Sequence, residues 1–323
     1  MMLLDPDHGS YRYKVFGLDF ASDIMLPQLL SVTDISGEPD VTICTGKVPT
    51  AIDGVVEKCD TYQLAKNEYI LQIPEVGGYY VSNGSRIIVK PDKRAEKSLV
   101  CEYLLGLAIG VLLLQREIIS MHGSAVAVDG YGVIFTGVCG AGKSTLAAAF
   151  RERGYSMLTD DVAALTFDND GVGWVQPACP RQSLQRDSAE AVGMVVAPEA
   201  GVGIEGRGNE EKFVLTVNKG FCQTPVPLSA VYELRVGELP GVSINRLAGA
   251  EKLAVLMKNS WARFIDRLGL QSAHFEQCLN IARKTSVSRL TRAQGLFSLE
   301  DQVRMVEEDL RGGGSNGSSN LSR

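Results

Sequence analysis

The sequence predicts an α/β protein in which a nucleotide-binding domain follows a smaller, β-rich domain. The main observation is the pattern G-x-x-x-x-G-K-[ST] at residues 137–144, which is typical of a phosphate-binding loop. An apolar run of strand length precedes this loop, and a run of helix-forming residues follows it. Residues 11–90 contain several short β-branched and aromatic runs separated by turn signals, which favours strands.

The flanking residues support the phosphate loop. Tyr131 to Thr136 predicts a buried strand, and Thr145 to Arg153 predicts a helix that ends at Gly154. Loop N–H groups and a helix N-terminus together bind anions, so an ordinary glycine-rich turn is disfavoured. We predict that ATP and Mg²⁺ bind here, with Lys143 on the β- and γ-phosphates and the Ser144 hydroxyl on the metal. The predicted nucleotide-binding residues are Gly137, Val138, Cys139, Gly140, Ala141, Gly142, Lys143, Ser144 and Thr145.

Composition restricts the function classes. The 323 residues are long for one domain and comfortable for two, and a net charge of −6 disfavours nucleic-acid binding. Seven scattered cysteines without a C-x-x-C pair favour free thiols in a reducing cytosol over a zinc site or disulfides. No signal peptide is visible, and the most apolar stretch, residues 103–114, is too short to span a bilayer. These observations predict a cytoplasmic protein without membrane contact.

The chain order predicts three parts: a β-rich domain over 1–94, the phosphate-loop domain over 95–311, and a flexible Gly/Ser/Asn tail over 312–323. The β-rich domain is open to three roles, namely packing, contact within a homo-oligomer, or substrate capture. Hairpin turns are predicted at Asn83-Gly84 and Asp129-Gly130. Helices are predicted over 95–115, 250–268, 272–284 and 298–310, and a mobile loop over 199–209.

Two adjacent carboxylates are the main catalytic candidates. Asp160 follows Lys143 by 17 residues, which is the length of one helix and one strand. Neighbouring strand residues point to opposite sides, so one carboxylate could bind the metal while the other faces an acceptor hydroxyl. We assign Asp160 as the group that accepts or orients the acceptor proton, and Asp161 with Ser144 as metal ligands. An ordinary acidic turn is the alternative.

Further candidates are a histidine and several cations. His122 opens the strand before the Asp-Gly turn, where it could lie near the γ-phosphate or serve only structure. Lys212 and Arg292, together with Arg181 and Arg289, could supply positive charge to a phosphoryl group, although most surface cations are only solvated.

The runs 122–128, 137–145 and 153–161 together resemble the catalytic domain of HPr kinase/phosphorylase. That family pairs a strand-opening His-Gly, a phosphate loop and a strand ending in Asp-Asp. The resemblance implies a fold related to phosphoenolpyruvate carboxykinase. It also implies a catalytic pair at Asp160 and Asp161, the family histidine at His122, and the metal-binding serine at Ser144.

Two departures separate the chain from the bifunctional enzyme. Thr145 occupies the position of the glutamate in the G-K-S-E run that is typical of that family. The family's second glycine-containing signature has no clear counterpart near residues 204–208 of this chain. The β-rich front end and Leu290-Thr291-Arg292 are instead similar to HPr-kinase-related kinases, some of which phosphorylate a serine of a lasso peptide precursor. The resemblance therefore implies an ATP-dependent serine kinase acting on a peptide or small protein, most simply such a precursor near its C-terminus. A bifunctional HPr kinase/phosphorylase and a non-catalytic, nucleotide-dependent regulatory protein remain alternatives.

Overall fold

The computed structural model describes residues 11–33, 37–194, 202–203, 212–217, 219–237, 241–293 and 298–314, with the backbone alone at 202–203, 212 and 313–314. The described chain is mixed α/β, with three sheets. Contacts divide it into two units. The first contains the residues up to Ser120 together with Trp261–Gln277, and the second contains Met121–Ser260 and the residues from Cys278 onward.

The strands follow one another in chain order. They are β1 (Tyr11–Val15), β2 (Leu18–Ser22), β3 (Val41–Thr45), β4 (Glu57–Lys58), β5 (Tyr62–Leu64), β6 (Glu68–Ile73), β7 (Gly77–Ser82), β8 (Arg86–Pro91), β9 (Ile119–Val128), β10 (Tyr131–Thr136), β11 (Ser156–Thr159), β12 (Val162–Phe167), β13 (Gly173–Val175), β14 (Arg181–Gln185), β15 (Val202–Gly203), β16 (Lys212–Thr216), β17 (Val226–Gly237), β18 (Val242–Arg246) and β19 (Ser286–Ala293).

The helices are α1 (Lys97–Tyr103), α2 (Ile109–Gln115), α3 (Lys143–Glu152), α4 (Arg186–Ala191), α5 (Gly249–Asn259), α6 (Ile265–Leu268), α7 (Gln271–Lys284) and α8 (Leu299–Gly314). A π-helical segment, Leu104–Ala108, joins α1 to α2 without a break.

The first unit contains an eight-stranded sheet in the order β1-β2-β3-β8-β7-β6-β5-β4. Strands β2, β3 and β8 pair in parallel, and the other neighbours pair antiparallel. The predicted hairpin at Asn83-Gly84 joins β7 to β8, and both turn residues have positive φ.

The helical stretch Lys97–Gln115 belongs to the first unit, whereas the sequence placed a domain boundary at 94–95. By length and composition this stretch could cross a membrane, although the sequence predicted an apolar run too short to do so. Its apolar side chains are largely buried within the first unit, where the Tyr79 hydroxyl donates to the Val100 carbonyl at 3.0 Å. The packing is that of a core helix.

The second unit carries a sheet with the path β10-β9-β12-β13-β17-β19-β18, to which β11 adds by pairing with β9. Strands β10, β17 and β19 run parallel, so their carboxyl ends meet at one edge of the sheet. The hairpin predicted at Asp129-Gly130 joins β9 to β10. A small separate sheet has the order β14-β16-β15.

An apolar core lies between one face of this sheet and the helices α3 and α8. Phe135 of β10 packs on Phe150 of α3 and on Tyr232 of β17, with ring centroids 5.3 and 6.2 Å apart. Leu146 of α3 and Val306 of α8 are fully buried in the same cluster. This packing fixes α3 on the sheet, and therefore fixes the phosphate loop at the sheet edge.

One predicted helix is interrupted. The sequence predicted a single helix over 250–268, but α5 ends at Asn259 and α6 begins at Ile265. At the break, Ser260 pairs with Met121, and the Trp261 N–H donates to the Ser120 carbonyl at 2.7 Å. These strand-like hydrogen bonds replace helical ones, a local effect of chain contacts more than 130 residues away in sequence.

The segment 261–277 is anchored in the first unit by an aromatic cluster. Phe264 lies 5.4 Å from Tyr62, 5.8 Å from Tyr69 and 6.0 Å from Trp261, between ring centroids. The Arg263 guanidinium covers the rings of Tyr62 and Phe264. Phe264 is only 1% exposed, so the segment contributes to the core of that unit.

Replacing Phe264 with Ala should remove this anchor. A large-to-small change at a fully buried aromatic residue costs about 3–5 kcal/mol of unfolding free energy. Phe275→Ala is the matched control, because Phe275 lies in the same segment and is 40% exposed. Urea unfolding of both variants, followed by circular dichroism, measures the difference; equal midpoints would contradict the anchoring role of Phe264.

Candidate functional site

The phosphate loop connects the carboxyl end of β10 to the N-terminus of α3. Gly137 has φ of 138°, and a Cβ there would lie 2.7 Å from the Leu234 carbonyl oxygen of β17. Gly142 precedes α3 in the left-handed region, with φ of 100°. Both positions therefore require glycine, the first because backbone approaches closely and the second because of its conformation.

Lys143 lies within this loop. Its Nζ donates to the carbonyl oxygens of Gly137 at 3.1 Å and Val138 at 3.0 Å, and the residue is only 8% exposed. The ammonium group is thus positioned inside the loop at the N-terminal end of α3, where the helix dipole also favours negative charge. Val138 and Cys139 are exposed at the tip of the loop. The arrangement suits an anionic ligand.

Asp160 receives hydrogen bonds from two strands and lies beside the phosphate-loop helix. The Ser124 hydroxyl of β9 donates to Oδ1 at 2.5 Å, and the Ser183 N–H of β14 donates to Oδ2 at 2.9 Å. The Ser144 hydroxyl of α3 lies close enough to this carboxylate to favour its charged form. The carboxylate therefore lies where the phosphate-loop helix and these two strands meet.

Desolvation raises the pKa of Asp160 above that of an ordinary aspartate. The hydrogen bonds from Ser124, Ser183 and Ser144 oppose this shift, whereas the neighbouring negative charge of Asp161 adds to it. A shifted carboxylate with a specific set of donors beside a phosphate loop is a reasonable functional candidate.

Asp161 lies in a different environment from its neighbour. Its side chain is 75% exposed, and Oδ1 lies 3.3 Å from Nδ1 of His122. Its φ is 76°, which is unusual for a residue other than glycine, and its carbonyl accepts from the Gly123 N–H at 3.0 Å. Thr136 fixes the backbone of His122, since its hydroxyl donates to the His122 carbonyl at 2.8 Å. The two aspartates thus face different partners.

Comparisons with known proteins place this site in context. No protein-family model matches the chain. Two curated proteins, the HPr kinase/phosphorylases of Azoarcus sp. (strain BH72) and of Aromatoleum aromaticum, are each 36% identical to it over 86 residues. The chain is related to the HPr kinase/phosphorylases. The matched segment is 26% of this chain and 26% of each relative, so the chain spans about a quarter of their length.

The chain also aligns with the solved structure of the HPr(Ser) kinase/phosphatase from Coxiella burnetii. The alignment covers 60% of this chain and 99% of the Coxiella burnetii chain. Its sequence identity to the chain is 14% and its TM-score is 0.31.

The oxygen-bearing side chains around Asp160 fit a magnesium ion. Mg²⁺ prefers oxygen ligands and is usually bound by one or two carboxylates together with phosphate oxygens and water. Ser144 and Asp160 supply a hydroxyl and a carboxylate that lie close to each other. In the part of the chain that the structure describes, no cluster of three or more His, Cys, Asp or Glu residues could hold a metal by itself.

Strand β14 contributes contacts that sequence reasoning missed. The buried Gln182 amide donates to the Ser144 carbonyl at 3.0 Å, next to the Ser183 contact with Asp160. The Thr145 hydroxyl contacts the Ser188 hydroxyl of α4 at 2.9 Å. Ser124 stood in the motif around His122, but nothing in its spacing indicated that it binds Asp160. These contacts depend on long-range pairing, which the local pattern does not encode.

A second missed feature lies on the neighbouring strands. Glu233 of β17 pairs in register with Thr136, directly before the phosphate loop, and is 3% exposed. Burial alone would raise its pKa, but hydrogen bonds from Arg235 and Arg289 hold that pKa below the usual value. Nε of Arg289 lies 2.9 Å and Nε of Arg235 lies 3.1 Å from Oε2 of Glu233. Arg289, a candidate phosphate contact from sequence, is therefore engaged in a largely buried ion pair.

The structure does not bring the predicted substrate contact Arg292 to the acid pair, and it does not describe the side chain of Lys212. Arg292 lies in β19, where its guanidinium donates to the Ala293 carbonyl at 3.5 Å. Among the described contacts, none joins Arg292 to the phosphate loop or to the aspartates. Lys212 begins β16, but its side chain lies outside the described atoms, as does most of the loop predicted over 199–209. Lys212 remains a prediction.

Asp160→Asn should stabilise the ligand-free protein at neutral pH. The folded state raises the pKa of Asp160, so its contribution to stability is greatest at low pH and falls as pH rises through that raised pKa. Asparagine removes the desolvated charge and can still accept a hydrogen bond. Asp160→Asn should therefore have a higher Tm than the wild-type protein at neutral pH, measured by thermal unfolding. This difference in Tm should shrink toward acidic pH, because the wild-type carboxyl then becomes protonated.

Asp168→Asn is a control in which the change in Tm should have the opposite sign. Hydrogen bonds from the Trp174 indole and the Val172 N–H lower the pKa of Asp168, so its ionised form favours folding above the unfolded pKa. This variant should lose Tm at neutral pH. A comparable loss in Asp160→Asn would contradict the account of a desolvated carboxylate.

Proposed function

We propose that this chain is an ATP-dependent kinase that transfers a phosphoryl group to a serine hydroxyl of a peptide or small protein. One observation carries the proposal: the Asp160 carboxylate lies beside Ser144 of the phosphate loop, and the exposed Asp161 carboxylate follows it and faces His122. The relationship to HPr kinase/phosphorylases supports the same reaction class. The proposed catalytic fold is the HPr kinase and phosphoenolpyruvate carboxykinase type.

The phosphate loop holds the donor in this proposal. Its N–H groups and the Lys143 ammonium bind the triphosphate, and the α3 N-terminus adds a favourable dipole. Bound Mg²⁺ neutralises charge on the phosphate oxygens. Ser144 and Asp160 are the residues that would hold the metal, since their oxygens already lie together.

The contacts favour an assignment of the two aspartates opposite to the one proposed from sequence. There, Asp160 was the proton acceptor and Asp161 joined Ser144 on the metal. Ser144 lies near Asp160, whereas Asp161 is exposed and faces His122. We therefore assign Asp160 to the metal and Asp161 to the acceptor hydroxyl, with His122 orienting the Asp161 carboxylate.

The proposed chemical step exchanges one phosphorus–oxygen bond for another. The acceptor oxygen forms a bond to the γ-phosphorus, while the bond from that phosphorus to the β–γ bridging oxygen breaks. The proton of the acceptor hydroxyl passes to Asp161, and ADP leaves with the bridging oxygen. Because such transfer depends mostly on positioning and charge, few protein groups are needed.

The acceptor is proposed to be a serine near the C-terminus of a lasso peptide precursor. The sequence similarity to HPr-kinase-related kinases supports a peptide acceptor. Thr145, which replaces the family glutamate and contacts Ser188, favours transfer without the reverse phosphorolysis. The names of the curated relatives favour a second candidate, a bifunctional HPr kinase/phosphorylase. A non-catalytic, ATP-dependent regulatory protein is the third candidate, and phosphoryl transfer distinguishes it from both enzymes.

Incubation with Mg²⁺, labelled ATP and either HPr or a serine-bearing lasso precursor tests this proposal by mass spectrometry. We expect one phosphate on the precursor serine, none on HPr, and no pyrophosphate from phosphopeptide plus phosphate. Phosphate on HPr alone would favour the bifunctional enzyme. Transfer to neither acceptor would favour the regulatory protein.

Lys143→Ala is the variant for the same assay. It should abolish transfer because it removes the cation that binds the phosphates. Lys58→Ala, a change in the first unit, should transfer normally. Normal transfer by Lys143→Ala, with an unchanged circular dichroism spectrum, would exclude the loop from the reaction.

A further inference from the structure

Phosphoryl transfer places negative charge on three equatorial oxygens, and the acid pair adds two more negative groups nearby. Preorganised cations beside these oxygens supply much of the rate enhancement in such reactions. Lys143 lies within the phosphate loop, on the donor side. A cation facing the acceptor side would complete the site.

Strand β14 brings an arginine to the acid pair. The Ser183 N–H reaches Asp160, so the outer edge of this strand faces that carboxylate. Arg181 precedes Ser183 by two residues and therefore lies about 6.6 Å from it along the same strand edge. This separation is within the reach of an arginine side chain.

The surroundings of the Cys179 thiol place Arg181 and the two aspartates near one another. Desolvation raises the pKa of Cys179 to about 11; the positive charge of Arg181 lowers it, and the negative charges of Asp160 and Asp161 raise it. All three charged groups therefore lie close to this one sulfur. Arg181 and the acid pair share a single neighbourhood.

The backbone holds Arg181 firmly at the start of β14. Its N–H donates to the Cys179 carbonyl at 2.8 Å, and the Val217 N–H donates to the Pro180 carbonyl at 2.8 Å. Arg181 itself pairs with Thr216 of β16. A residue fixed in this way presents its side chain from a defined point.

The other candidate arginines are engaged elsewhere, since Arg289 is bound to Glu233 and Arg292 to the Ala293 carbonyl. Across the described ranges, no hydrogen bond or ion pair engages the Arg181 guanidinium, and the residue is half-exposed. It can therefore turn toward a phosphoryl group.

We propose that Arg181 is a catalytic residue that binds the phosphoryl group during its transfer, from the acceptor side. The inference rests on the proposed kinase function. The planar guanidinium would bind two equatorial oxygens at once, which a lysine ammonium does not do. Arg181 is thus expected to bind the transition state far more tightly than it binds ADP.

The test compares Arg181→Ala and Arg181→Lys with wild type in affinity for MgADP and for MgADP with aluminium fluoride, which mimics the phosphoryl group in transfer. Comparable arginines in other phosphotransferases change kcat by about 10³–10⁵-fold. We expect at least a roughly 100-fold loss in kcat and in analogue affinity for Arg181→Ala, an intermediate loss for Arg181→Lys, and less than about twofold change in ADP affinity. Added guanidinium should partly restore Arg181→Ala.

Arg304→Ala is the matched control, because Arg304 is exposed on α8 and pairs only with Asp301 and Glu308 among the described residues. It should behave as wild type. If the analogue affinity and the kcat of Arg181→Ala lie within twofold of the wild-type values, the proposed role of Arg181 is wrong. That result would leave the proposed kinase function intact. Failure of the wild-type protein to bind MgADP or to transfer phosphate would instead contradict the proposed kinase function, and with it this inference.

Discussion

The site depends on one desolvated carboxylate. Asp160 is bound by Ser124 from β9 and Ser183 from β14 and lies beside Ser144 of α3, so three elements distant in sequence meet at one side chain. Placing a negative charge in such surroundings is unfavourable without compensating donors or a cation. Under the proposed function a bound cation would supply this compensation, at some cost to the stability of the protein without its ligands.

The two aspartates face different surroundings because the chain turns sharply between them. Asp160 directly follows β11, and its carboxylate lies beside α3. Asp161 adopts a positive φ, and its carboxylate faces His122 and solvent. Adjacent residues can thus serve two different chemical roles, one on the donor side and one on the acceptor side. Strand β14 closes the third side, with Gln182 on the backbone of α3 and Arg181 near the acid pair.

Local sequence patterns predicted the parts of the fold that local interactions determine. The strand, loop and helix around Lys143, and the hairpin at Asp129-Gly130, follow from short-range glycine and hydrophobic patterns. Long-range pairing determined what the patterns missed. The Glu233–Arg289 pair requires parallel β17 and β19, and the break after Asn259 requires contacts with Met121. The wrong prediction of one helix over 250–268 has the same cause, because its apolar periodicity says nothing about distant partners.

The assignment of Asp160 to the metal is tested most directly by calorimetric titration of ATP with and without Mg²⁺. In the wild-type protein Mg²⁺ should tighten ATP binding. Asp160→Asn should lose this tightening while it keeps metal-free ATP binding, and Asp161→Asn should retain it. Loss of the Mg²⁺ effect in Asp161→Asn alone, with Asp160→Asn unchanged, would contradict the account.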